Sequence, residues 1–514
     1  MMSTPPVSET SSNPKVRPKV HPSANPKPCL NSGELRLQAA ESVSSAVEVG
    51  CISANNHAKC DAGLISKYDV SGPRYTSYPT APQFSADYTE AVYCEQAKQH
   101  LQQSIAPISL YVHLPFCQNI CYYCACNKVV TRDSSAARTY LDYLHKEVEL
   151  QSKWVAKHRP VTQLHLGGGT PTFLDGAELT ELMHLLASHY NLSGSEQREY
   201  SIEIDPRTVS QDTLALLKGL GFNRLSLGVQ DFDEGVQRAI NRVQSIKMVS
   251  ELTELARFYQ FKSVSYDLIY GLPLQTPQSL AQTLDAVIQL APDRIAFFNY
   301  AHLPTRFSSQ RAIDRLELPS AQEKIAMLAL ITQKLMGAGY QHIGMDHFVR
   351  PADELAKAQR AGTLQRNFQG YSTSMAQDLI GLGVSSISSL RDSYSQNEKT
   401  LDGYYRRLAL GELPISKGLI LSADDKVRRA VISQLICNMC LYYESVERQF
   451  GIVFSEYFSR ELKGLLNMES DGLLSCEGDK ILIHEQGRPM LRNICMVFDT
   501  YFQHSTTAQY SQTL

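Results

Sequence analysis

The stretch Cys117-Gln-Asn-Ile-Cys121-Tyr-Tyr-Cys124-Ala-Cys126 places four thiols within ten residues, directly after the mostly apolar run of residues 108–116. Such crowding does not fit a disulfide framework well. Spacings of three and then two intervening residues are typical of thiolates that hold an iron–sulfur cluster. Three ligands on one loop leave the fourth iron of a [4Fe–4S] cube open for chemistry. Cys126 is then either a fourth ligand or a neighbour.

Zinc is the competing interpretation of these thiols. Structural zinc sites usually take two separated ligand pairs, and a second pair exists in Cys437-Asn-Met-Cys440. That pair lies in a predicted helix, where a thiol is also an ordinary core residue. Spacing alone favours iron–sulfur and leaves zinc, or no metal at all, as alternatives. Three N-terminal cysteines, at 29, 51 and 60, have no metal-like spacing.

The composition describes a soluble globular protein of two or three domains. The 514 residues are 43% hydrophobic and carry a formal net charge of −3. This balance favours no nucleic-acid partner, and no apolar run approaches the roughly 18 residues of a membrane span. The first residues lack the apolar segment of a secretory signal. Twelve cysteines in such a chain indicate a reducing compartment, so we expect a cytoplasmic protein.

Short β-rich runs alternate with helical stretches between residues 105 and 300. In residues 140–155, for example, Leu141, Leu144, Val148 and Val155 form one apolar stripe. Six strands with intervening helices predict a parallel sheet, open or curled into a partial barrel, and right-handed crossovers place the loops after the strands at one rim. The six predicted strands are residues 108–113, 163–166, 200–204, 224–229, 263–270 and 294–300.

Polar and glycine-rich segments follow these strands with regularity. Residues 167–170, Gly-Gly-Gly-Thr, come after the second strand and allow a ligand to approach the backbone closely, with N–H groups free to bind it. A tight turn is the ordinary alternative. The other strand ends carry residues 203–207, 228–232, 267–273 and 299–302. Each polar residue could simply cap its strand, but together they predict a site at the rim.

The chain divides by composition into five predicted segments. Residues 1–63 form a disordered N-terminal extension, and residues 64–104 an N-terminal lid or substrate-contacting segment, for which a plain packed loop at 71–80 is the alternative. Residues 105–420 form the domain that carries the predicted rim site, with an extension that includes a strand into a loop at 343–348 and a loop at 366–371. Residues 421–505 form a helix-rich C-terminal domain with short β-runs at 473–475 and 481–483, and residues 506–514 a flexible tail.

Several longer strings match one family. The CxxxCxxC loop after a first strand, the Gly-rich second loop and the six-strand layout resemble the radical S-adenosylmethionine (SAM) superfamily. YVHLPFCQNICYYCACNKVVTR, HLGGGTPT, SIEIDPR and DLIYGLPLQTP are similar to the oxygen-independent coproporphyrinogen III dehydrogenase family, and the resemblance covers about residues 64–505. It implies an α/β fold, a radical SAM partial (β/α)6 barrel with a mainly helical C-terminal domain.

The resemblance also implies site residues. Cys117, Cys121 and Cys124 would bind the cluster and Cys126 would lie beside it, while Ala125 replaces the commoner Gly. The substrate bears four carboxylates, which led us to the hypothesis that Arg74, Arg306 and Arg350 bind it. The positions implied for SAM are Tyr111, Tyr123, Gly168, Gly169, Thr170, Glu203, Gln230, Arg242, Asp267, Ala301 and Ile387.

The implied activity is oxidative decarboxylation of coproporphyrinogen III to protoporphyrinogen IX, without oxygen, in haem biosynthesis. A 5′-deoxyadenosyl radical derived from SAM would remove a propionate hydrogen. The implied cofactors are one [4Fe–4S] cluster and two molecules of SAM, and the other partners are an unidentified electron donor and acceptor. The family suggests a monomer. Two alternatives are kept: a haem chaperone of the same superfamily without dehydrogenase activity, and a zinc-stabilised binding module.

Overall fold

The computed structural model describes residues 62–373 and 378–504. Twenty strands occur in this part of the chain. In chain order they are β1 (Ile108–Leu114), β2 (Phe116–Cys117), β3 (Val129–Val130), β4 (Pro160–Gly168), β5 (Asn191–Leu192), β6 (Glu199–Ile204), β7 (Arg224–Gln230), β8 (Ser263–Tyr270), β9 (Arg294–Asn299), β10 (Gln341–Gly344), β11 (His347–Val349), β12 (Gln365–Asn367), β13 (Gly370–Ser372), β14 (Asp378–Leu382), β15 (Ile387–Leu390), β16 (Ser393–Asn397), β17 (Ile415–Ile420), β18 (Cys440–Tyr442), β19 (Leu474–Glu477) and β20 (Lys480–Ile483).

The described residues also form seventeen α-helices, several of which begin at a capping box such as Asp175 with Glu178 or Ser320 with Glu323. They are α1 (Ala62–Tyr68), α2 (Glu90–Ala97), α3 (Ser135–Ser152), α4 (Gly176–His189), α5 (Gln211–Gly219), α6 (Glu234–Ala239), α7 (Ile246–Phe258), α8 (Pro277–Leu290), α9 (Ala321–Gly337), α10 (Glu354–Arg360), α11 (Leu401–Ala409), α12 (Ala423–Asn438), α13 (Tyr443–Phe450), α14 (Phe454–Tyr457), α15 (Ser459–Ser470), α16 (Leu491–Val497) and α17 (Thr500–His504).

The six predicted strands form the centre of one large sheet. Its order runs β9-β8-β7-β6-β4-β1, and every neighbouring pair is parallel. The strands are buried because helices such as α3, α4 and α8 place their apolar stripes against them. The prediction of an α/β fold with a parallel, partly closed barrel is confirmed. The carboxyl ends of these strands lie at one rim, as right-handed crossovers require.

The sheet continues beyond the six strands on both sides. Next to β1 lies parallel β14, followed by antiparallel β15, β16 and β17, while β11 and β10 extend the β9 side. The sequence did not predict these strands, because short segments such as Ser393–Asn397 are polar and lack the alternation of a half-buried strand. The predicted strand into a loop at 343–348 begins in β10, but the chain returns as β11 and forms a β-hairpin, and the predicted loop at 366–371 is also a β-hairpin.

The C-terminal region is helical around one small sheet. Strands β18, β20 and β19 form a three-stranded antiparallel sheet, of which the sequence predicted the last two. Helices α12, α15 and α16 pack around a core that contains Val431, Leu435 and Phe498. That core also takes in Tyr75 and Tyr78 from the N-terminal segment. The N-terminal segment therefore packs on the C-terminal helices before the chain enters β1. The proposed domain boundaries stay predictions.

Some predictions fall outside the described residues. These are the disordered extension up to residue 61, with its three cysteines, and the tail at 506–514. Within residues 62–373 and 378–504, no helix is both long and apolar enough to cross a membrane. The nine described cysteines are all free thiols.

Candidate active site

A cavity of about 800 Å³ opens at the carboxyl ends of the barrel strands. The loop that carries the four crowded thiols forms one wall. The ends of β4, β6, β7, β8 and β9 form the others, so residues far apart in sequence meet there. The cavity is lined at this rim by Cys117, Cys121, Tyr123, Cys124, Cys126, Gly168, Gly169, Thr170, Glu203, Asp205, Gln230, Arg242, Asp267 and Ala301.

The cysteine loop is held by short backbone pairings at both of its ends. Cys117 lies in β2, which pairs with β3 downstream of the loop, and Thr131 N donates to Cys117 O over 3.0 Å. Within the loop Cys124 N donates to Cys121 O over 3.2 Å, which forms a tight turn. The thiol of Cys126 donates a hydrogen bond that lowers the pKa of Cys124 to about 6. All four cysteines line the same cavity.

Gln310 fastens this loop to the rim of the barrel. Its Nε2 donates to the carbonyl oxygens of Tyr123 (3.0 Å) and Ala301 (3.2 Å), and its Oε1 accepts from Leu303 N over 2.6 Å. The adjacent Ser309 donates to Cys124 O over 3.0 Å. The side chain of Gln310 is buried, so these bonds hold the loop without competition from water. No motif or spacing in the sequence singled out Gln310.

Two arginines approach the sulfur of Cys121. Arg242 Nη1 lies 3.6 Å from Cys121 Sγ and 3.0 Å from Asp205 Oδ2. Arg207 Nη2 lies 4.0 Å from the same sulfur and 2.7 Å from Asp205 Oδ2. Cations beside a thiol favour the thiolate, which is the form that binds iron. Asp205 and Arg207 were noted in the sequence only as a strand end, and their arrangement comes from the fold.

Arg242 is largely satisfied by the protein. Its Nε and Nη2 both donate to Gly228 O, over 3.2 and 2.6 Å, and its Nη1 serves Asp205 and Cys121. Four of the five guanidinium hydrogens are thereby used. One Nη2 hydrogen is left for a carboxylate. Arg242, one of the positions implied for SAM, thus lies in the cavity, but most of its donors hold the cysteine loop.

The donor set fits a [4Fe–4S] cluster. Three thiols on one turn with cationic neighbours are the ligands that such a cluster requires. Among the described residues, no group of three or more His, Cys, Asp or Glu side chains has the spacing of ligands around a single metal ion. Thiolates of a cube bind different irons and so lie further apart than ligands of one ion. The distal Cys437 is a core residue, and burial raises its pKa to about 12.

The glycine run packs against the cysteine loop. A Cβ on Gly169 would lie 2.6 Å from the backbone of Pro115, and one on Gly168, whose φ is +115°, would lie 2.6 Å from the His113 ring. The backbone N–H groups are not free, contrary to expectation: Gly168 N donates to Glu203 (3.0 Å), Gly169 N to Leu114 O (2.8 Å) and Thr170 N to Phe116 O (2.8 Å). The glycines therefore permit close backbone packing first.

Carboxylates and an amide reach the cavity from neighbouring strands. Burial raises the pKa of Glu203, but the hydrogen bond and the charge of His165 outweigh burial, so the pKa of this carboxyl lies below its usual value. Burial raises the pKa of Asp267 to about 6, against a hydrogen bond from Ser226 of 2.7 Å. Gln230 has φ +67°, beside a β-bulge between Gly228 and Gln230. These groups offer an ionised acceptor, a titratable acid and an amide for a ribose or amino acid.

Two of the eleven positions implied for SAM do not line the cavity. Tyr111 lies within β1, where its hydroxyl meets His113 Nδ1 at 3.0 Å and its ring stacks on His165 at 5.8 Å. Ile387 packs in a small apolar cluster with Phe84 and Tyr394. The other nine positions all line the cavity. The roles of all eleven stay predictions.

The three substrate arginines separate in the structure. Arg74 lines the cavity and its Nη2 donates to Asn299 O over 2.9 Å, while Arg306 lines it as an exposed residue. Arg350 lies at the opposite, amino-terminal end of β9. There it donates to Ala291 O over 2.8 Å and Pro292 O over 3.2 Å. Arg350 is not among the residues that line the cavity, and the roles of the three arginines in substrate binding stay predictions.

The N-terminal segment at 71–80 is anchored on the C-terminal helices. Tyr75 donates to Asp499 over 2.9 Å, and the Tyr78 hydroxyl lies 3.1 Å from that of Thr500. The neighbouring Arg74 still reaches the cavity. The segment thus combines packing on the C-terminal region with a contact to the site, and its role as a lid stays a prediction.

Comparison with known proteins places the chain in a defined group. The radical SAM superfamily profile matches residues 111–287. The oxygen-independent coproporphyrinogen III oxidase of Pseudomonas aeruginosa is 50% identical over 459 residues, covering 88% of this chain and 98% of the relative. The enzyme of that name from Escherichia coli K12 is 47% identical over 449 residues, covering 87% and 97%. The solved structure of the E. coli coproporphyrinogen III oxidase (HemN), described as a radical SAM enzyme, matches with a TM-score of 0.81 at 47% identity and covers 86% of this chain and 99% of its own.

The barrel, the cysteine loop and these matches define a radical SAM protein, a class that uses a [4Fe–4S] cluster and SAM. The zinc-stabilised binding module is thereby set aside. Within this class, the chain belongs to the oxygen-independent coproporphyrinogen III oxidase family. This is the family that the sequence resemblance named as a dehydrogenase, since oxidative decarboxylation removes electrons from the substrate.

Proposed function

We propose that this protein catalyses the oxygen-independent oxidative decarboxylation of coproporphyrinogen III to protoporphyrinogen IX, as an oxidoreductase of haem biosynthesis. One observation carries the proposal. The three thiols of the CxxxCxxC loop and nine positions expected to contact SAM line a single cavity of about 800 Å³. The two relatives described above, from Pseudomonas aeruginosa and Escherichia coli, bear this enzyme's name and match over 98% and 97% of their own length.

Cys117, Cys121 and Cys124 would hold the cluster, and the open iron would take SAM. When bound, these groups supply one-electron cleavage of SAM and removal of a hydrogen atom from a propionate of the substrate. The protein supplies orientation and a site shielded from water. Gln310, through its bonds to Tyr123 and Ala301, fixes the loop relative to β9.

The polar side chains around the rim would divide the binding work. Glu203 is held ionised by His165 and accepts from Gly168 N, so it offers a carboxylate to ribose hydroxyls. The remaining Nη2 hydrogen of Arg242 offers one donor to the methionine carboxylate. Arg74 and Arg306 would bind propionates near the mouth. These assignments, and a second SAM molecule, belong to the proposal.

We also propose that the enzyme is a monomer in the cytoplasm and receives its electron from a separate donor, with a second partner as final acceptor. The nine described free thiols suit a reducing compartment.

The test is anaerobic reconstitution of the full chain with iron and sulfide, reduction of the cluster with dithionite, and addition of SAM, coproporphyrinogen III and a soluble one-electron acceptor. We expect two CO2 and one protoporphyrinogen IX per substrate, with methionine and 5′-deoxyadenosine. Cys121→Ser is the matched control and should form none of these four products. A protein that cleaves SAM and binds haem without releasing CO2 would instead be a haem chaperone.

A further inference from the structure

The cavity extends well below the rim into the barrel. Arg224 and Arg294 are the first residues of β7 and β9, and both line the cavity together with residues four positions further along the same strands, Gly228 and Phe298. Four residues of a strand span about 13 Å. The cavity therefore has a second polar level near the amino-terminal ends of the strands. We call Arg224, Arg294 and His347 the cavity floor.

Arg294 presents unused donors at this floor. Its Nε donates to Asp353 Oδ2 over 2.9 Å. Neither Nη atom has a hydrogen-bond acceptor among the described residues. Arg294 lines the cavity with a partly buried side chain, and the two Nη atoms of a guanidinium have the geometry that binds a carboxylate in bidentate fashion.

Arg224 and His347 add to the same surface. Arg224 Nη1 donates to Asn223 Oδ1 over 3.1 Å and its Nη2 pairs with Glu354, while its Nε is buried without a partner in the described chain. His347 Nδ1 is also buried without a described partner. Burial lowers the pKa of His347 to about 3, so this ring is neutral and can donate from Nδ1 in one tautomer.

Three carboxylates, those of Asp353, Glu199 and Glu354, lie near these two arginines, but none of them accepts a hydrogen bond from the Nη atoms of Arg294. Glu199 lies 4.0 Å from Arg224 Nη2, but it accepts from Gln163 Nε2 (3.3 Å) and Ser372 Oγ (3.0 Å). Glu354 has a side chain 45% exposed to solvent, which weakens its field at the floor. Burial and the charge of Arg294 lower the pKa of Arg224. Unfilled donors on buried cations are costly, and an anion would satisfy them.

We propose that the cavity floor binds a carboxylate of the substrate through the two Nη atoms of Arg294, beside the charge of Arg224. The inference rests on the proposed function. Two propionates of coproporphyrinogen III react and two are retained. The reacting propionates must lie at the rim, beside the cysteine loop, so the floor takes a retained propionate. It would thereby select which pyrrole rings face the rim.

The test compares two variants of one ion pair. Arg294→Gln removes the carboxylate-binding donors, and we expect KM for coproporphyrinogen III to rise about 10- to 100-fold, the effect of one lost charged hydrogen-bonding partner, with a smaller change in kcat. Asp353→Asn breaks the same ion pair but keeps the cation, and asparagine preserves the N-cap of α10 that Asp353 provides. Its KM should stay within about threefold of wild type. Arg360→Gln, an exposed cation at the other end of α10, is the charge control.

Two further measurements keep the outcomes distinct. The rate at which each dithionite-reduced variant cleaves SAM in the absence of coproporphyrinogen III reports whether that variant is folded and holds its cluster. This rate should equal that of wild type. Coproporphyrinogen III in which the two retained propionates are methyl esters should have a higher KM than the free acid with wild type. With Arg294→Gln, the ester and the free acid should have the same KM. Arg294→Lys should recover part of the loss.

Two results would overturn the assignment: equal increases of KM in Asp353→Asn and Arg294→Gln, or an increase of KM for the dimethyl ester that is as large in Arg294→Gln as in wild type. In either case the ion pair of Arg294 and Asp353 would have only a structural role. Failure of the wild type to convert coproporphyrinogen III, while it cleaves SAM, would reject the proposed function instead.

Discussion

The side-chain amide of Gln310 donates a hydrogen bond to the backbone carbonyl of Tyr123 over 3.0 Å. The donor lies beyond the sixth barrel strand, and the acceptor lies in the middle of the cysteine loop. Nearly 190 positions separate the two residues in sequence. A second bond from the same nitrogen to Ala301 O ties the loop to the strand end that shares its cavity.

We predict that Gln310→Leu weakens cluster binding. Leucine has a similar size but cannot donate, so two buried carbonyl groups would lose their partner at a cost of about 1–3 kcal/mol. The melting temperature should fall, and iron per chain after reconstitution should drop below that of wild type. Ser308→Ala, at an exposed neighbouring residue, is the control and should match wild type. Full iron content in Gln310→Leu would show that the loop is held by other contacts.

The four thiols should separate into two groups. Ser at position 117, 121 or 124 should abolish the [4Fe–4S] cluster, while Cys126→Ser should still assemble it. The measurements are iron and sulfide content and the electron paramagnetic resonance signal of the reduced protein. If all four variants behave alike, the expectation of one open iron is wrong.

The glycine run gives a steric prediction. In Gly169→Ala the new Cβ would lie 2.6 Å from the Pro115 backbone, which cannot move without displacing the start of the cysteine loop. We expect a loss of about 1–3 kcal/mol in unfolding free energy, typical of overpacking. Chemical denaturation measures it. Gly219→Ala, where no atom lies within 4 Å of the new Cβ, should be neutral or slightly stabilising, and a similar loss there would point to a general effect of alanine.

Glu147 gives a prediction for pH. Its carboxyl is buried between α3 and β16 and accepts from Gly383 N, Asn397 Nδ2 and Tyr404, each over 2.6 Å. Burial raises its pKa from 4.5 to about 7. The folded state therefore holds a proton that the unfolded state has lost between these values.

Stability from this group is complete below the unfolded pKa and falls as pH rises through the folded pKa, by at most about 1.4 kcal/mol per pH unit. Denaturation curves between pH 5 and pH 8 should show this decline. In Glu147→Gln the part of the slope due to this residue should vanish. An unchanged slope would mean that the carboxylate is ionised in the folded protein throughout the range.

Most of the barrel was predictable from the sequence, for physical reasons. Buried parallel strands appear in the sequence as short apolar runs, and the predicted apolar stripe of Leu141, Leu144 and Val148 forms the buried face of α3. Strand β16 was not predicted, since its polar side chains are buried through contacts made by other segments. Local pattern does not report such contacts.

The sequence by itself determined the class of chemistry. The spacing of Cys117, Cys121 and Cys124 sets which thiols share one turn, and spacing is a property of the covalent chain. Only the tertiary structure decided what surrounds that turn. It placed Arg242 and Arg207 beside Cys121, moved Arg350 to the far end of β9 and left Arg294 with unused donors at the cavity floor. These relationships depend on strand order and on which end of a strand a residue occupies, and both arise only when the sheet closes around its core.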